Sequence, residues 1–166
     1  MPGAIRLHSI GGPEVLSLES VQVARPGRGQ VRIKQTAVGL NFIDVYVRTG
    51  LYPATLPSGL GMEAAGVVTQ TGPGVRSLAV GDRVAYVHSQ PGAYADDRVM
   101  PADRLVRVPD AVTDREAAAV MLKGLTAWFL LRRAYRVRKG DPVVIYAAAG
   151  GVGIIAVQWA RHLGAE

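Results

Sequence analysis

No cysteine occurs in the chain, which excludes disulfides, a catalytic thiol and a thiolate metal site, and fits a reducing compartment. No stretch approaches the roughly 18 consecutive apolar residues of a membrane span. The opening "MPGAIRLHSIGG" lacks the basic-then-apolar order of a secretory signal, so no membrane contact and a cytoplasmic location are expected. Neither a GxSxG nucleophile elbow nor a GxxxxGK[ST] phosphate loop is present, since Ser58 stands in "LPSGL". The 3 histidines, His8, His88 and His162, fall in separate segments and read as surface or strand-end residues rather than metal ligands.

What is present is 49% hydrophobic and 19% charged over 166 residues, enough for one substantial core or one and a half ordinary domains. The net charge of +6 and pI near 10.1 suit an anionic partner, but the cations are spread along the chain. Only "RRAYRVRK", Arg132 to Lys139, is dense. It reads as a helix C-terminal turn and loop facing water; the alternative is a phosphate or RNA contact. No RNA-binding signature accompanies it, so a nucleic-acid partner is not expected.

Up to about residue 110, short β-like runs alternate with Gly and Pro: "AIRLHSI", "EVLSLESVQV", "VRIKQTAVGL", "GVVTQTG", "GDRVAYV" and "DRLVRVP". This spacing predicts a mostly antiparallel β domain. In "VRIKQTAV" the alternation puts Val31, Ile33 and Val38 on the apolar side, with a slip near Gln35. Beyond Pro109 the texture becomes helical, with Thr113 and Glu116 spaced as a capping box. Gly124 is expected to divide the region into two helices.

"KGDPVVIYAAAGG" then supplies a turn, an apolar run suited to a strand buried on both faces, and a glycine turn. The helix that follows carries Val152, Ile155, Ala156, Trp159, Ala160 and Leu163 on one face. Strand, glycine turn and helix in this order give a GxGxxG-like pattern its mechanical context. Ala148, Gly150 and Gly153 occupy the three special positions, with Gly151 and Val152 between. Bare backbone can approach a pyrophosphate there, and the first helical N–H groups point at it. Ala148 in place of glycine should alter the turn slightly. The residue that separates NAD from NADP should lie about 20 residues further on, past Glu166. A lone strand and helix have no sheet of their own, so Val143, Ile145, Ile155 and Trp159 are expected to be exposed and the chain to self-associate.

"GGPEVL" (11–16), "GLNFIDVYVRTGLYP" (39–53), "LPSGLGMEAAGVV" (56–68), "GVRSLAVGDRVAY" (74–86), "LKGLTAWFLL" (122–131) and "AAAGGVG" (147–153) together resemble the medium-chain dehydrogenase/reductase superfamily. Within it they are similar to the zinc-free quinone oxidoreductases, the zeta-crystallin-like branch. The resemblance covers the whole chain but only the first half of a typical member. It implies an α/β protein, with a mostly β GroES-like catalytic domain over 1–121. A connecting helix and the first βα unit of a Rossmann domain, apparently truncated, follow over 122–166.

The resemblance also implies the chemistry. Zinc relatives carry Cys and His where this chain has Asn41 and Met62, poor ligands for zinc, so no metal is expected. Glu63 keeps the acidic place beside Met62 and is expected to bond nearby backbone. An NADPH-dependent quinone oxidoreductase follows, moving hydride to a quinone or related conjugated carbonyl. Asn41, Phe42, Ile43, Asp44 and Tyr46 would line the nicotinamide side. Tyr46 and Tyr52 would act catalytically by orienting the substrate carbonyl. Lys123, Thr126, Gly150, Gly151, Val152 and Gly153 would complete the cofactor site. Phe129 stands where relatives can carry a tyrosine, which removes a hydroxyl contact. Family members suggest a homodimer. Read without the resemblance, Asn41 and Asp44 cap a short helix and the tyrosines pack. A non-catalytic or RNA-binding protein on the same scaffold, and an enoyl or alkenal reductase, are the competing functions.

Overall fold

The computed structural model describes residues 1–88 and 90–166. Two compact units divide the chain, Met1–Ala119 and Val120–Glu166.

In the first unit, β1 (Gly3–Leu7), β2 (Leu16–Ser20) and β4 (Ser58–Gly59) form a three-stranded sheet ordered β2-β1-β4. β3 (Gln30–Gly39), β5 (Glu63–Thr71), β6 (Arg83–Val87), β7 (Asp97–Pro101) and β8 (Val106–Arg107) form a five-stranded sheet ordered β7-β3-β5-β6-β8. Every pairing is antiparallel, as the turn spacing predicts. Val31, Ile33, Ala64, Val68, Val84 and Tyr86 meet in the core, all fully buried.

The slip near Gln35 has a physical cause. Odd positions of β3 keep facing inward, so Gln35 takes a core-side place and Val38 faces out, 45% exposed, against the expected apolar face. Gln35 is tolerated because its polar atoms are satisfied. Its Nε2 donates to the carbonyl of Ala93 at 3.0 Å and to that of Ala95, and its Oε1 accepts from the Tyr86 hydroxyl. β3 carries register irregularities at Arg32/Ile33 and Gln35/Ala37. β4 and β7 are too short and too polar to stand out in the sequence.

α1 (Phe42–Thr49) follows β3, and α2 (Asp114–Phe129) leads from the first unit into the second. The capping box forms: the Thr113 N–H donates to Glu116 Oε2 at 2.8 Å, and the Glu116 N–H to Thr113 Oγ1 at 3.2 Å. Arg83 anchors the same end, its Nε and Nη2 reaching Asp114 Oδ1 at 2.9 and 2.7 Å. α2 passes through Gly124 without a break, because a single helical glycine costs only about 1 kcal/mol. The interruption comes later, as a π turn over Leu130–Ala134.

In the second unit, α3 (Gly151–His162) packs Ala156 and Ala160 against Ala127, Leu131 and Val137, with Val152, Ile155, Trp159 and Leu163 alongside. This is the face read from the sequence. Residues 142–146 do not form a strand, contrary to expectation, because a parallel ladder needs a neighbour along its whole length. One rung is made: the Val143 N–H donates to the Glu166 carbonyl and the Glu166 N–H to the Asp141 carbonyl, both at 3.0 Å. Val143, Ile145, Ile155 and Trp159 pack against the cluster instead of facing water. Their neighbours Val144, at 82%, and Tyr146, at 90%, are the most exposed large apolar groups among the described residues of this unit. No described helix is long and apolar enough to cross a membrane.

Candidate functional site

Two places carry candidate chemistry, one in each unit. In the first, a buried polar chain lies under the start of α1. Asn41, at the N-cap, lends its backbone N–H to Asp44 Oδ2 at 2.9 Å, closing a capping box. Its side-chain Nδ2 donates to Glu63 Oε1 at 2.8 Å. Tyr94 donates its hydroxyl to the same Asp44 oxygen at 2.9 Å. Asn41, Asp44 and Glu63 are all buried. Glu63 thus meets the Asn41 amide. Tyr94 is absent from the sequence reading; its only signal is its place in the turn "PGAY".

Backbone shape makes room for this arrangement. A Cβ on Gly39 would stand 2.3 Å from Glu63 Oε1 and 2.5 Å from the Ala118 carbonyl, so only glycine lets the Glu63 carboxylate sit there. Burial pushes the Asp44 carboxyl above its usual range, against the lowering effect of the Asn41 N–H, Tyr94 and Gly61 bonds. Burial, with the Asp44 carboxylate, likewise raises the Tyr94 hydroxyl above the ordinary tyrosine value.

Above this chain, α1 presents aromatic side chains. Phe42 is exposed and Ile43 and Tyr46 half-buried. The Tyr46 ring stands 6.2 Å from Phe42 and 5.4 Å from Tyr52, both tilted contacts, a spacing typical of favourable ring pairs. The Tyr52 N–H donates to the Tyr46 carbonyl at 3.0 Å, holding the loop against the helix. A cavity of about 600 Å3 opens beside it, lined among others by Ile43, Val47, Tyr52 and Met62. Asn41, Phe42, Ile43, Asp44, Tyr46 and Tyr52 thus lie together.

In the second unit the glycine turn leads directly into α3. Gly150 is the N-cap and no side chain caps the helix. The first turn holds no acidic residue, so its amide dipoles keep their attraction for an anion. A Cβ at Gly153 would lie 2.2 Å from the Ala147 carbonyl oxygen, so the tight turn requires glycine there. The left-handed residue is Ala147, with φ of 52°, so the departure from glycine shapes the turn one residue earlier than Ala148. The Lys123 side chain lies over Gly151, its Cδ and Cε 2.9 Å from where a Cβ would be. Thr126 turns its hydroxyl to the Leu122 carbonyl at 2.7 Å, and Phe129 is 55% exposed. Close backbone, uncapped N–H groups and a lysine beside them fit the pyrophosphate of a dinucleotide.

His8 bonds Glu19 Oε1 at 2.6 Å, and His88 Nδ1 accepts from the Gln90 N–H at 3.0 Å. Among the described residues no group of three or more His, Cys, Asp or Glu could hold a metal ion.

The chain is similar over its whole length to a quinone oxidoreductase of Pseudomonas aeruginosa, at 50% identity and covering 51% of that protein. It is 47% identical to a 2-haloacrylate reductase of Burkholderia, covering 96% of this chain and 50% of that one. Among solved structures, Escherichia coli quinone oxidoreductase complexed with NADPH superposes with a TM-score of 0.95 at 46% identity, over 99% of this chain and 51% of that one. The chain spans about half the length of the relatives it matches. Residues 27–110 match the alcohol dehydrogenase GroES-like domain, and the chain belongs to that family.

Proposed function

We propose that the chain belongs to an NADPH-dependent, zinc-independent quinone oxidoreductase, with residues 1–121 as its GroES-like catalytic domain and 122–166 as the connecting helix and start of its Rossmann domain. The observation that carries the reading is the glycine turn. Its backbone accepts no side chain at Gly153, and the helix behind it begins without a cap. The relative solved with NADPH names the dinucleotide.

When bound, NADPH supplies a hydride, so that a quinone and one proton leave as the hydroquinone with NADP+. The chain's own residues bind and orient. Gly150, Gly151, Val152 and Gly153 offer backbone N–H groups to the pyrophosphate, with Lys123 as a cation and Thr126 beside it. Asn41, Phe42, Ile43 and Asp44 form the nicotinamide side, and the Asn41–Glu63 bond fixes the amide that faces it. Tyr46 and Tyr52 present hydroxyls to the carbonyl oxygen as negative charge develops there, the electrostatic assistance such a transfer needs. Conjugation spreads that charge, so no Lewis acid is required. The same reading makes the protein a cytoplasmic homodimer. The 2-haloacrylate reductase relative favours a second reading, reduction of a conjugated alkene at the same site.

The test is NADPH oxidation with benzoquinone, with and without a chelator. Turnover indifferent to the chelator is expected; loss of turnover that zinc restores contradicts the proposal. An enal compared with benzoquinone separates the two readings.

A further inference from the structure

The cavity beside Tyr52 holds one charged side chain that no part of the proposed reaction uses. Arg6, on β1, lines it together with the polar side chains of Thr55, Ser58 and Gln90. No Asp or Glu is among its described lining residues. Three other arginines of this unit are closely ion-paired, Arg32 with Asp97, Arg83 with Asp114 and Arg107 with Asp82. The Arg6 side chain has no hydrogen bond or ion pair among the described residues. A half-buried arginine lining a cavity without an acid offers its charge to an anion, and the planar fork of a guanidinium matches a carboxylate in two parallel bonds.

Arg6 also borders a smaller cavity of about 250 Å3 behind Gly59 and Pro91. That one is lined by Asp97, already paired with Arg32, and by Arg98, and it lies below the usual size of a small-molecule site. The larger cavity, at about 600 Å3, falls within the usual range for small-molecule sites. It is also the one that reaches Tyr52 and Met62. From these observations we infer that Arg6 selects substrates carrying a carboxylate, so that the acceptor is an acidic quinone or conjugated acid rather than a neutral one. The inference rests on the proposed function for the identity of the acceptor, but not for the anion site itself. The net charge of +6 favours the approach of such a substrate.

Two measurements separate the inference from the reading beneath it. Naphthoate and its neutral amide, neither reducible here, are titrated into the protein and followed by chemical shift or fluorescence. Naphthoate should bind roughly tenfold to a hundredfold more tightly, the range of one charge-assisted contact. Arg6→Met should remove the preference, and Arg6→Lys, which keeps the charge but not the fork, should retain part of it. No naphthoate binding, equal binding of the two probes, or a preference that survives Arg6→Met overturns the inference, whatever the activity. NADPH oxidation is then compared with a naphthoquinone and its carboxylate. The acid-to-neutral ratio of kcat/KM should fall by the same factor in Arg6→Met, and an unchanged ratio overturns the inference. No oxidation with either acceptor overturns the quinone reductase reading and leaves the binding result to decide the anion site.

Discussion

The two units satisfy their backbones in different ways. In Met1–Ala119, each strand of the central sheet finds an antiparallel partner within the unit, and Ile33, Val68, Val84 and Tyr86 reach complete burial. In Val120–Glu166, the run 142–146 is as apolar as any strand of the first unit, yet it makes a single parallel rung and leaves Val144 and Tyr146 in water. Hydrophobicity alone therefore does not make a strand. The antiparallel sheet closes through short local turns, whereas a parallel one requires a distant segment to return alongside.

The largest effect expected from this contrast lies in the first unit. Ile33→Ala should cost about 2–5 kcal/mol of stability, measured by urea unfolding; a loss below 1 kcal/mol would show that the closed sheet is not where the stability resides.

Next comes the anchor at the start of α2. Asp114→Asn should lose roughly 1–3 kcal/mol, the worth of its charged hydrogen bonds. The bond from Thr36 and the Arg83 guanidinium hold the Asp114 carboxyl below the ordinary aspartate value of 3.8. Its stabilisation is therefore present above pH 3.8 and is lost as pH falls through the folded value. Asp44 has the opposite sign: burial raises its carboxyl above 3.8, so its contribution is present below that pH and is lost as pH rises through the folded value. Difference titrations of stability should show the Asp114→Asn loss growing with pH, while Asp44→Asn becomes relatively more favourable. Parallel curves would contradict the assignment.

Smaller effects belong to the second unit. Ala147→Gly relieves a left-handed alanine and should raise thermal stability by up to about 1 kcal/mol; a loss would mean that the turn tolerates alanine without strain. Val144→Lys should change unfolding free energy by less than about 0.5 kcal/mol and reduce self-association in sedimentation. Unchanged association would shift the sticky surface elsewhere.

The sequence made the β domain, the Thr113 capping box and the buried face of α3 legible because each depends on neighbours close in the chain. Gln35 defeated the periodicity because its inward place depends on Tyr86, Ala93 and Ala95, far along the chain. For the same reason the site was legible only in part. Asn41, Asp44, Tyr46 and Tyr52 share one local segment, and their proximity follows from α1. Glu63 and Tyr94, which complete the buried chain beneath them, and Arg6, which meets the cavity from β1, arrive through strand pairing that no local pattern encodes. Gly124 misled in the other direction, since a local cost near 1 kcal/mol is small beside the packing of the helix that contains it.

The central claim is that the Gly150–Gly153 turn holds a dinucleotide pyrophosphate, and it is tested most directly by titrating the protein with NADPH while following the fluorescence of the nicotinamide. Saturable binding that is lost in Gly153→Val, and that free pyrophosphate competes away, is the predicted result. Equal binding by the wild-type and Gly153→Val proteins would contradict it.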